Sequence, residues 1–376
     1  MDFQFYLPVN LSFGEGRVET VGVEAAKYGK RALLVTGKNS TRKTGLLDKV
    51  KALLEKAGVD CVVFAQVSAN PTSDIMEEGV RLLTEQHCDV VVALGGGSII
   101  DCAKAIAFAA KNEGEIFEYI FGKRSGTKAL PLIAVPTTCG TGSEGNCFAV
   151  LTDPKTRDKK SLRNMVSIPK VSIIDPTLMV TMPKSVAGSV MFDALCHNME
   201  AFLSNGTQPI VEMQALYAIE LLGQYMKKAY DDVRDGEAWS KVTLASTLGG
   251  MNINMAGVTA PHGMEHPASG LRDIVHGRGL AALTPIIYQK SLETAPAKFD
   301  KISRLLGGKD RRDLVPRIQE LLEVLEVKTT LSQEGIKESD VDWMTDNCAK
   351  VSAPAMAAHP QHFTKEEIRE IYLEAL

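Results

Sequence analysis

The sequence has no apolar run of membrane-spanning length: Gly, Pro or charge breaks each of its most hydrophobic stretches. No transmembrane helix is expected. The N-terminal Met1-Asp-Phe-Gln-Phe-Tyr-Leu-Pro8 lacks a basic n-region and a long apolar h-region. That excludes an evident signal peptide and favours the cytoplasm. Basic charge is not in excess: the formal net charge is −4, which makes nucleic acid a poor partner. No two cysteines form a CxxC pair. The seven present (61, 88, 102, 139, 147, 196 and 348) are odd in number, which argues against a disulfide framework or a thiolate metal site. The turn Gly95-Gly-Gly-Ser98 is neither a GxGxxG fingerprint nor a P-loop, since no Gly-Lys-Ser/Thr follows it, and the chain has no internal repeat.

What is present fits a globular enzyme. The chain has 376 residues, 45% of them hydrophobic and 23% charged, enough for a large core in two domains. The first half alternates strand-like and helix-like stretches. Strands are expected at 31–36, 61–64, 89–94 and 132–135, with helices at 44–56, 74–83 and 99–111. Such alternation implies a parallel sheet covered on both faces. After Pro183 the strand signals stop, and helices are expected at 185–203, 210–230, 238–254 and 314–325. The fold class is therefore an α/β N-terminal domain with a parallel sheet, residues 1–182, followed by an all-α domain, residues 183–376.

Histidine is scarce, with seven in the chain, yet four fall in two short clusters. Asp193 and His197 are four residues apart, as are His262 and His266, and His276 follows. On a helix that spacing puts both side chains on one face. Imidazoles with one carboxylate suit iron or zinc. Asp193 also stands in the apolar stretch Val190-Met-Phe-Asp-Ala-Leu195, which is costly unless the charge is paired or ligated. Spacing alone does not choose between His266 and His276 as a ligand.

Two glycine-rich turns follow strand-like runs. Gly95-Gly-Gly-Ser98 opens a helix, whose free N–H groups and dipole can hold a phosphate. Alone it is a weak signal, the alternative being a tight strand–helix turn. Asp101, in the first turn of that helix, either favours the dipole or fixes the loop. Pro136-Thr-Thr-Cys-Gly-Thr-Gly-Ser-Glu144 offers Thr137, Thr138 and Thr141 where open α/β sheets bind ligands, or caps for the next element.

Together, Gly95-Gly-Gly-Ser-Ile-Ile-Asp101, Pro136–Glu144, Asp193-Ala-Leu-Cys-His-Asn-Met-Glu-Ala-Phe202 and His262-Gly-Met-Glu-His-Pro267 with His276-Gly277 resemble the iron-containing (group III) alcohol dehydrogenases, over nearly the whole chain. The resemblance implies a dinucleotide-binding N-terminal domain, a helical metal-binding domain and a nicotinamide site in the cleft between them. It assigns Asp193, His197, His262 and His276 to Fe2+ or Zn2+. His266 becomes the histidine near substrate and nicotinamide, able to relay a proton. Gly96, Gly97, Ser98 and Asp101 would hold the pyrophosphate. Asn70, Thr137, Thr138, Thr141, Asn146, Lys159 and Leu178 would line the rest of the cleft.

Two departures lie beside the substrate cleft. His266-Pro-Ala-Ser-Gly270 stands where the family commonly has His-Pro-Leu-Gly, and Val275 stands where Pro is common. By composition alone, Lys155–Lys160 reads as a solvated turn, and His87, His359 and His362 as surface residues. Cys139, Cys147 and Cys196 read as small packing residues.

The resemblance points to a metal-dependent alcohol dehydrogenase or aldehyde reductase acting on a small alcohol or aldehyde. Its rivals are a dehydroquinate-synthase-like lyase, a metallohydrolase, and a metal-free binding relative. Where NAD users of the family carry Asp after the first strand, this chain has Gly37, followed by Lys38, Ser40 and Lys43. That favours NADP(H) over NAD(H), as in the NADPH-dependent butanol dehydrogenases and aldehyde reductases. The segment Gln4–Phe13 resembles the family's edge strand at its dimer contact, so a homodimer or larger homo-oligomer is expected.

Overall fold

The structure is a computed structural model describing residues 2–376. Its larger sheet has six strands: β1 Leu11–Phe13, β2 Arg31–Gly37, β3 Asp60–Val67, β4 Val90–Gly95, β5 Leu132–Pro136 and β8 Val171–Ile174. They run in the order β1-β8-β5-β4-β2-β3, and every pairing is parallel. A separate antiparallel hairpin is formed by β6 Phe148–Thr152 and β7 Lys159–Arg163.

Alternation along β2 shows how the sheet is covered on both faces. Ala32 and Leu34 point to a core shared with α1 (Val21–Ala26) and α3 (Leu46–Lys56). Leu33 and Val35 point to the opposite core, shared with α4 (Ser73–Glu85) and α5 (Gly97–Ala109). All four β2 side chains are fully buried, each aliphatic one contributing roughly 1.5–3 kcal/mol. Two short helices, α2 (Ser40–Lys43) and α6 (Ile116–Ile120), complete this part. The expected helix 44–56 is broken by Gly45, whose φ of 74° belongs to the left-handed region that glycine favours.

From Lys184 onward the described chain is helical. The helices are α7 Lys184–Leu203, α8 Pro209–Asp231, α9 Gly236–Ala256, α10 Ala260–Arg272, α11 His276–Ser291, α12 Pro296–Leu305, α13 Leu314–Val324, α14 Val341–Val351, α15 Ala353–Ala358 and α16 Lys365–Glu374. α7 is buried on nearly every side, which is why it shows no polar face in the sequence. Among the described residues, no helix is long and apolar enough to cross a membrane.

Three expectations are corrected. The run Lys155–Lys160 is not wholly a solvated turn. Lys155–Asp158 is an exposed tip, but Lys159 is buried at the start of β7, and the tip is docked on the helical part. Asp158 accepts from Asn347, Lys160 donates to the Val351 carbonyl, and a Cβ at Gly270 would lie 2.4 Å from the Arg157 carbonyl. His359 is fully buried; its ring stacks on Phe363 and Nε2 lies 2.9 Å from Ser291 Oγ. Of the expected edge strand 4–13, only Leu11–Phe13 pairs, with β8. Leu7 and Val9 pack on a small core with Cys147 and Val211.

The two parts meet closely at Gly250 of α9. A Cβ there would lie 1.9 Å from the Gly142 carbonyl oxygen, in the turn after β5. Gly250→Ala must therefore push the turn off the helix. It is expected to lower unfolding stability by about 1–3 kcal/mol, the usual cost of overpacking. Urea unfolding checks this, and an unchanged midpoint would contradict the contact.

Candidate active site

α7 carries Asp193, His197 and Glu200 at steps of four and three, one helical face. α10 carries His262, Glu265 and His266, and α11 opens on His276. Three segments thus converge on Asp193 Oδ1. His262 Nε2 lies 3.4 Å from it, His197 Nδ1 3.6 Å and His276 Nε2 3.8 Å. Donor atoms of Asp193, His262 and His276 all fall within 4.8 Å of one another. His197 flanks this trio, stacked on His262 with ring centroids 4.5 Å apart; its Nδ1 is 3.3 Å from the Gly140 carbonyl oxygen. His266 is half-buried, its ring 6.1 Å from that of His262 and 5.8 Å from that of His276.

Behind the histidines stand two carboxylates that sequence reasoning missed. Glu200, fully buried, accepts from His262 Nδ1 at 2.5 Å and from the Thr259 N–H at 2.6 Å. That bond fixes the tautomer and turns Nε2 toward Asp193. Glu265, also fully buried, is in ion-pair contact with His276 Nδ1. The signal was weak: both read as ordinary helical acids, and only their spacing of three from His197 and His262 marks them.

Burial alone would raise the Asp193 pKa, but the imidazoles of His197, His262 and His276 outweigh it and hold the carboxyl well below the usual range. Burial works to lower His262; Glu200 and Asp193 override it and raise the ring to about 10. Burial pushes His197 down to about 4. His266 is held well below the usual imidazole range by burial, with Lys159 adding to it. The carboxylates therefore draw positive charge to the centre of the cluster. Asp193 Oδ1 and His262 Nε2 are buried and find no hydrogen-bond partner among the described residues. Two orphaned buried donor atoms, three imidazoles and a carboxylate fit a divalent transition metal.

The glycine turns lie at the C-terminal ends of β4 and β5, neighbours in the sheet. Gly95 has φ 158°, and Gly96 precedes the first turn of α5. Cβ atoms at Gly96 and Gly97 would meet Thr138 Oγ1 at 2.9 Å and Thr141 Oγ1 at 2.3 Å, so the two turns close on each other. Only glycine allows that approach. Thr137 N–H donates to the Gly95 carbonyl. Ser98 is half-buried in the first turn of α5, and Leu178 is half-buried against the β4 and β5 side chains.

Two of the expected cofactor residues are hydrogen-bonded within the protein. The Asp101 carboxylate accepts from Ser143 Oγ and the Val150 N–H, so it is not free to meet a pyrophosphate, whose charge it would also repel. Asn146 Oδ1 accepts from Lys104 Nζ and the Phe148 N–H, and Nδ2 donates to the Gly142 carbonyl. Lys104, unnoticed in the sequence, is fully buried and also donates to Ser143 and Phe148 oxygens; burial lowers it to about 8. Asp101-x-x-Lys104, one helical turn, was the available signal. Lys159 Nζ and Asn70 meet across the cleft: Lys159 donates to Asn70 Oδ1, and Asn70 Nδ2 donates to Asp273. Cys139, Cys147 and Cys196 are buried, and burial raises their thiols, Cys139 to about 12. They pack, as expected.

Comparison with known proteins decides the family. Residues 8–176 match the family model described as iron-containing alcohol dehydrogenase, and residues 187–376 match that of its C-terminal region. The chain belongs to the iron-containing alcohol dehydrogenase family. It is 33% identical to alcohol dehydrogenase 4 of Schizosaccharomyces pombe, over 99% of this chain and 89% of that one. It is 34% identical to the 1,3-propanediol dehydrogenase of Citrobacter freundii, over 99% and 98%. A solved archaeal alcohol dehydrogenase from a Red Sea brine pool, ADH/D1, superposes with a TM-score of 0.96 at 33% identity, covering 100% of this chain and 99% of that one. The chain is accordingly an oxidoreductase of the iron-type alcohol dehydrogenase class, using iron and a nicotinamide cofactor.

Replacing Asp193 or His262 by Ala removes the centre of the cluster. Both variants are expected to lose metal and turnover but to keep binding the reduced cofactor, which the family resemblance assigns to the β4 and β5 turns. Metal analysis beside cofactor fluorescence titration checks this; wild-type metal content in either variant would sink the assignment.

Proposed function

We propose that this chain interconverts primary alcohols and aldehydes with NADP(H) in preference to NAD(H), as a homodimer or larger assembly, and that its metal- and dinucleotide-binding regions divide near residues 182–183. One observation carries the reading. The orphaned Asp193 Oδ1 and His262 Nε2 adjoin, through the contact of His197 with Gly140, the glycine turns that cradle a dinucleotide. A metallohydrolase would have no need of that cradle, and a dehydroquinate-synthase-like lyase gains no support from the family match.

Asp193, His197, His262 and His276 would hold the metal. When bound, the metal supplies Lewis-acid polarisation of the substrate oxygen, and the nicotinamide supplies the hydride chemistry. The chain's own residues do the rest. Glu200 and Glu265 hold the histidine rings in register. Gly96, Gly97 and Ser98 offer backbone N–H groups to the pyrophosphate, with Thr137, Thr138 and Thr141 around them. His266, held neutral by burial and Lys159, accepts a proton at a ring nitrogen or passes it to water. Lys159 and Asn70 close one side of the cleft. Rates with a panel of alcohols and aldehydes, read by nicotinamide absorbance, test the reading; no turnover with any would refute it.

The cofactor preference rests on the loop after β2. Gly37 offers no carboxylate to repel a 2′-phosphate, and Lys38, Ser40 and Lys43 are exposed beside it. A Cβ at Gly37 would meet only ordinary contacts, the nearest at 3.5 Å to the Val67 carbonyl oxygen, so a larger side chain fits. The wild type is expected to have the higher kcat/KM with NADPH than with NADH, and Gly37→Asp to shift the ratio toward NADH by about tenfold or more, the effect of about 1.4 kcal/mol. A wild-type ratio well below one overturns the preference.

Assembly rests on the free edge of β1, whose unpaired backbone groups can take another strand, with Phe3 and Tyr6 exposed before it. Light scattering at micromolar concentration should give a multiple of 40.7 kDa. A monomer throughout counts against it.

A further inference from the structure

One oxygen in the cleft faces both an imidazole and an ammonium group. Glu265 Oε2 is in contact with His276 Nδ1, and Lys159 Nζ lies 3.7 Å from the same atom. Both Lys159 and Glu265 are buried, where the attraction between ammonium and carboxylate is strong. Yet the lysine stops short of contact distance. Its ammonium is tethered elsewhere: it donates to Ser269 Oγ at 2.7 Å and to Asn70 Oδ1 at 3.0 Å.

The two tethers pull from different places. Ser269 is on α10, one turn after Glu265, and is buried. Asn70 is on the loop before α4 and is anchored in turn by Asp273 Oδ1 and the Ile274 carbonyl. Lys159 is carried into the cleft by the β6–β7 hairpin. Glu265 cannot easily move to meet it, because its Cγ and Oε1 lie 2.9 and 3.1 Å from where a Cβ on Gly279 would be. The lysine is therefore the mobile partner, and its two hydrogen bonds decide how close it comes. Ser269 stands where the family resemblance has glycine, which offers no hydroxyl.

We propose that Ser269 is a positioning residue for the metal centre: by holding the Lys159 ammonium off Glu265 Oε2, it keeps that oxygen for His276 and so sets how firmly His276 is presented to the metal. Without the hydroxyl, Lys159 collapses onto Oε2 and competes with His276 Nδ1. The ring loses its orienting acceptor, and the ligand atom Nε2 loses basicity. The inference rests on the metal site proposed above, and Ser269 touches neither a metal ligand's donor atom nor the glycine turns.

The test is metal affinity of the apo-protein, with Zn2+ as a redox-inert probe titrated against a chromophoric chelator. Ser269→Ala is expected to raise the Zn2+ Kd about tenfold, the lower end of the effect of outer-shell changes. Lys159→Met, which removes the competitor, should bind Zn2+ at least as tightly as the wild type. The double variant should match Lys159→Met, not Ser269→Ala. A Ser269→Ala Kd within twofold of wild type overturns the proposal. So does a double variant as weak as Ser269→Ala, since that is the signature of lost packing alone, and so does Lys159→Met binding more weakly than wild type. If the wild type itself binds no Zn2+, the metal site fails; if only the Ser269 comparison fails, that site stands.

Discussion

A carboxylate buried in an apolar helix is the constraint that organises the molecule. Asp193 is surrounded along α7 by Val190, Met191, Phe192, Ala194 and Leu195, and is 2% exposed. An uncompensated charge there would cost several kcal/mol. Compensation comes from imidazoles on α7, α10 and α11, so those helices must converge at one point. Each imidazole then needs a partner for its second nitrogen. Glu200 serves His262 and Glu265 lies against His276, while the Gly140 carbonyl lies against the same His197 Nδ1 that faces Asp193. The result is an alternation of carboxylates and imidazoles in which several buried atoms, Asp193 Oδ1 and His262 Nε2 among them, are left without hydrogen-bond partners. The helical part is arranged around that vacancy of bonding, and a divalent cation fits it.

How much of this could be read from the sequence depended on whether the signal was local. Histidines four apart on one helix and glycines directly after a buried strand are local patterns, and both were placed correctly. The parallel sheet was legible because β4, β5 and the centre of β2 are buried and read as continuous apolar runs. The β6–β7 hairpin was not, because its strands are five residues each and its tip carries three charges that read as a solvated turn. Lys159 looks like part of that run; only the docking of the tip onto α10 and α14 buries it. His359 was misread because Ser291 lies 68 positions away, and Phe363, four positions on, shares no helix with it. Asp101 was read toward a phosphate, yet its charge is satisfied by Ser143 and Val150, 42 and 49 positions away.

The two binding regions are built from different materials. The proposed dinucleotide cradle is largely backbone: turns at Gly95–Gly97 and Gly140–Gly142 held together by close approach, with Lys104 fastening the second turn through four oxygens. The metal cluster is entirely side chain, and its geometry comes from helix packing. Backbone cradles tolerate change at neighbouring side chains, whereas a ligand set does not. The loop at 37–43, on which the proposed cofactor preference rests, is largely exposed and contributes little to either core. Changes there can alter which dinucleotide binds without disturbing the fold.

Two structures so different in origin must still act on one substrate, and the contacts that align them are few and specific. Gly250 against Gly142 sets the distance between α9 and the second glycine turn. His197 against Gly140 ties the same turn to the metal cluster. Lys159 ties the hairpin to Asn70 on one side and Ser269 on the other. None of these is a large apolar interface. Each is a close approach or a buried polar bond, which loses its energy steeply when displaced. The cleft is thus held by contacts that are sensitive to position, and that sensitivity is what fixes the reacting groups relative to one another.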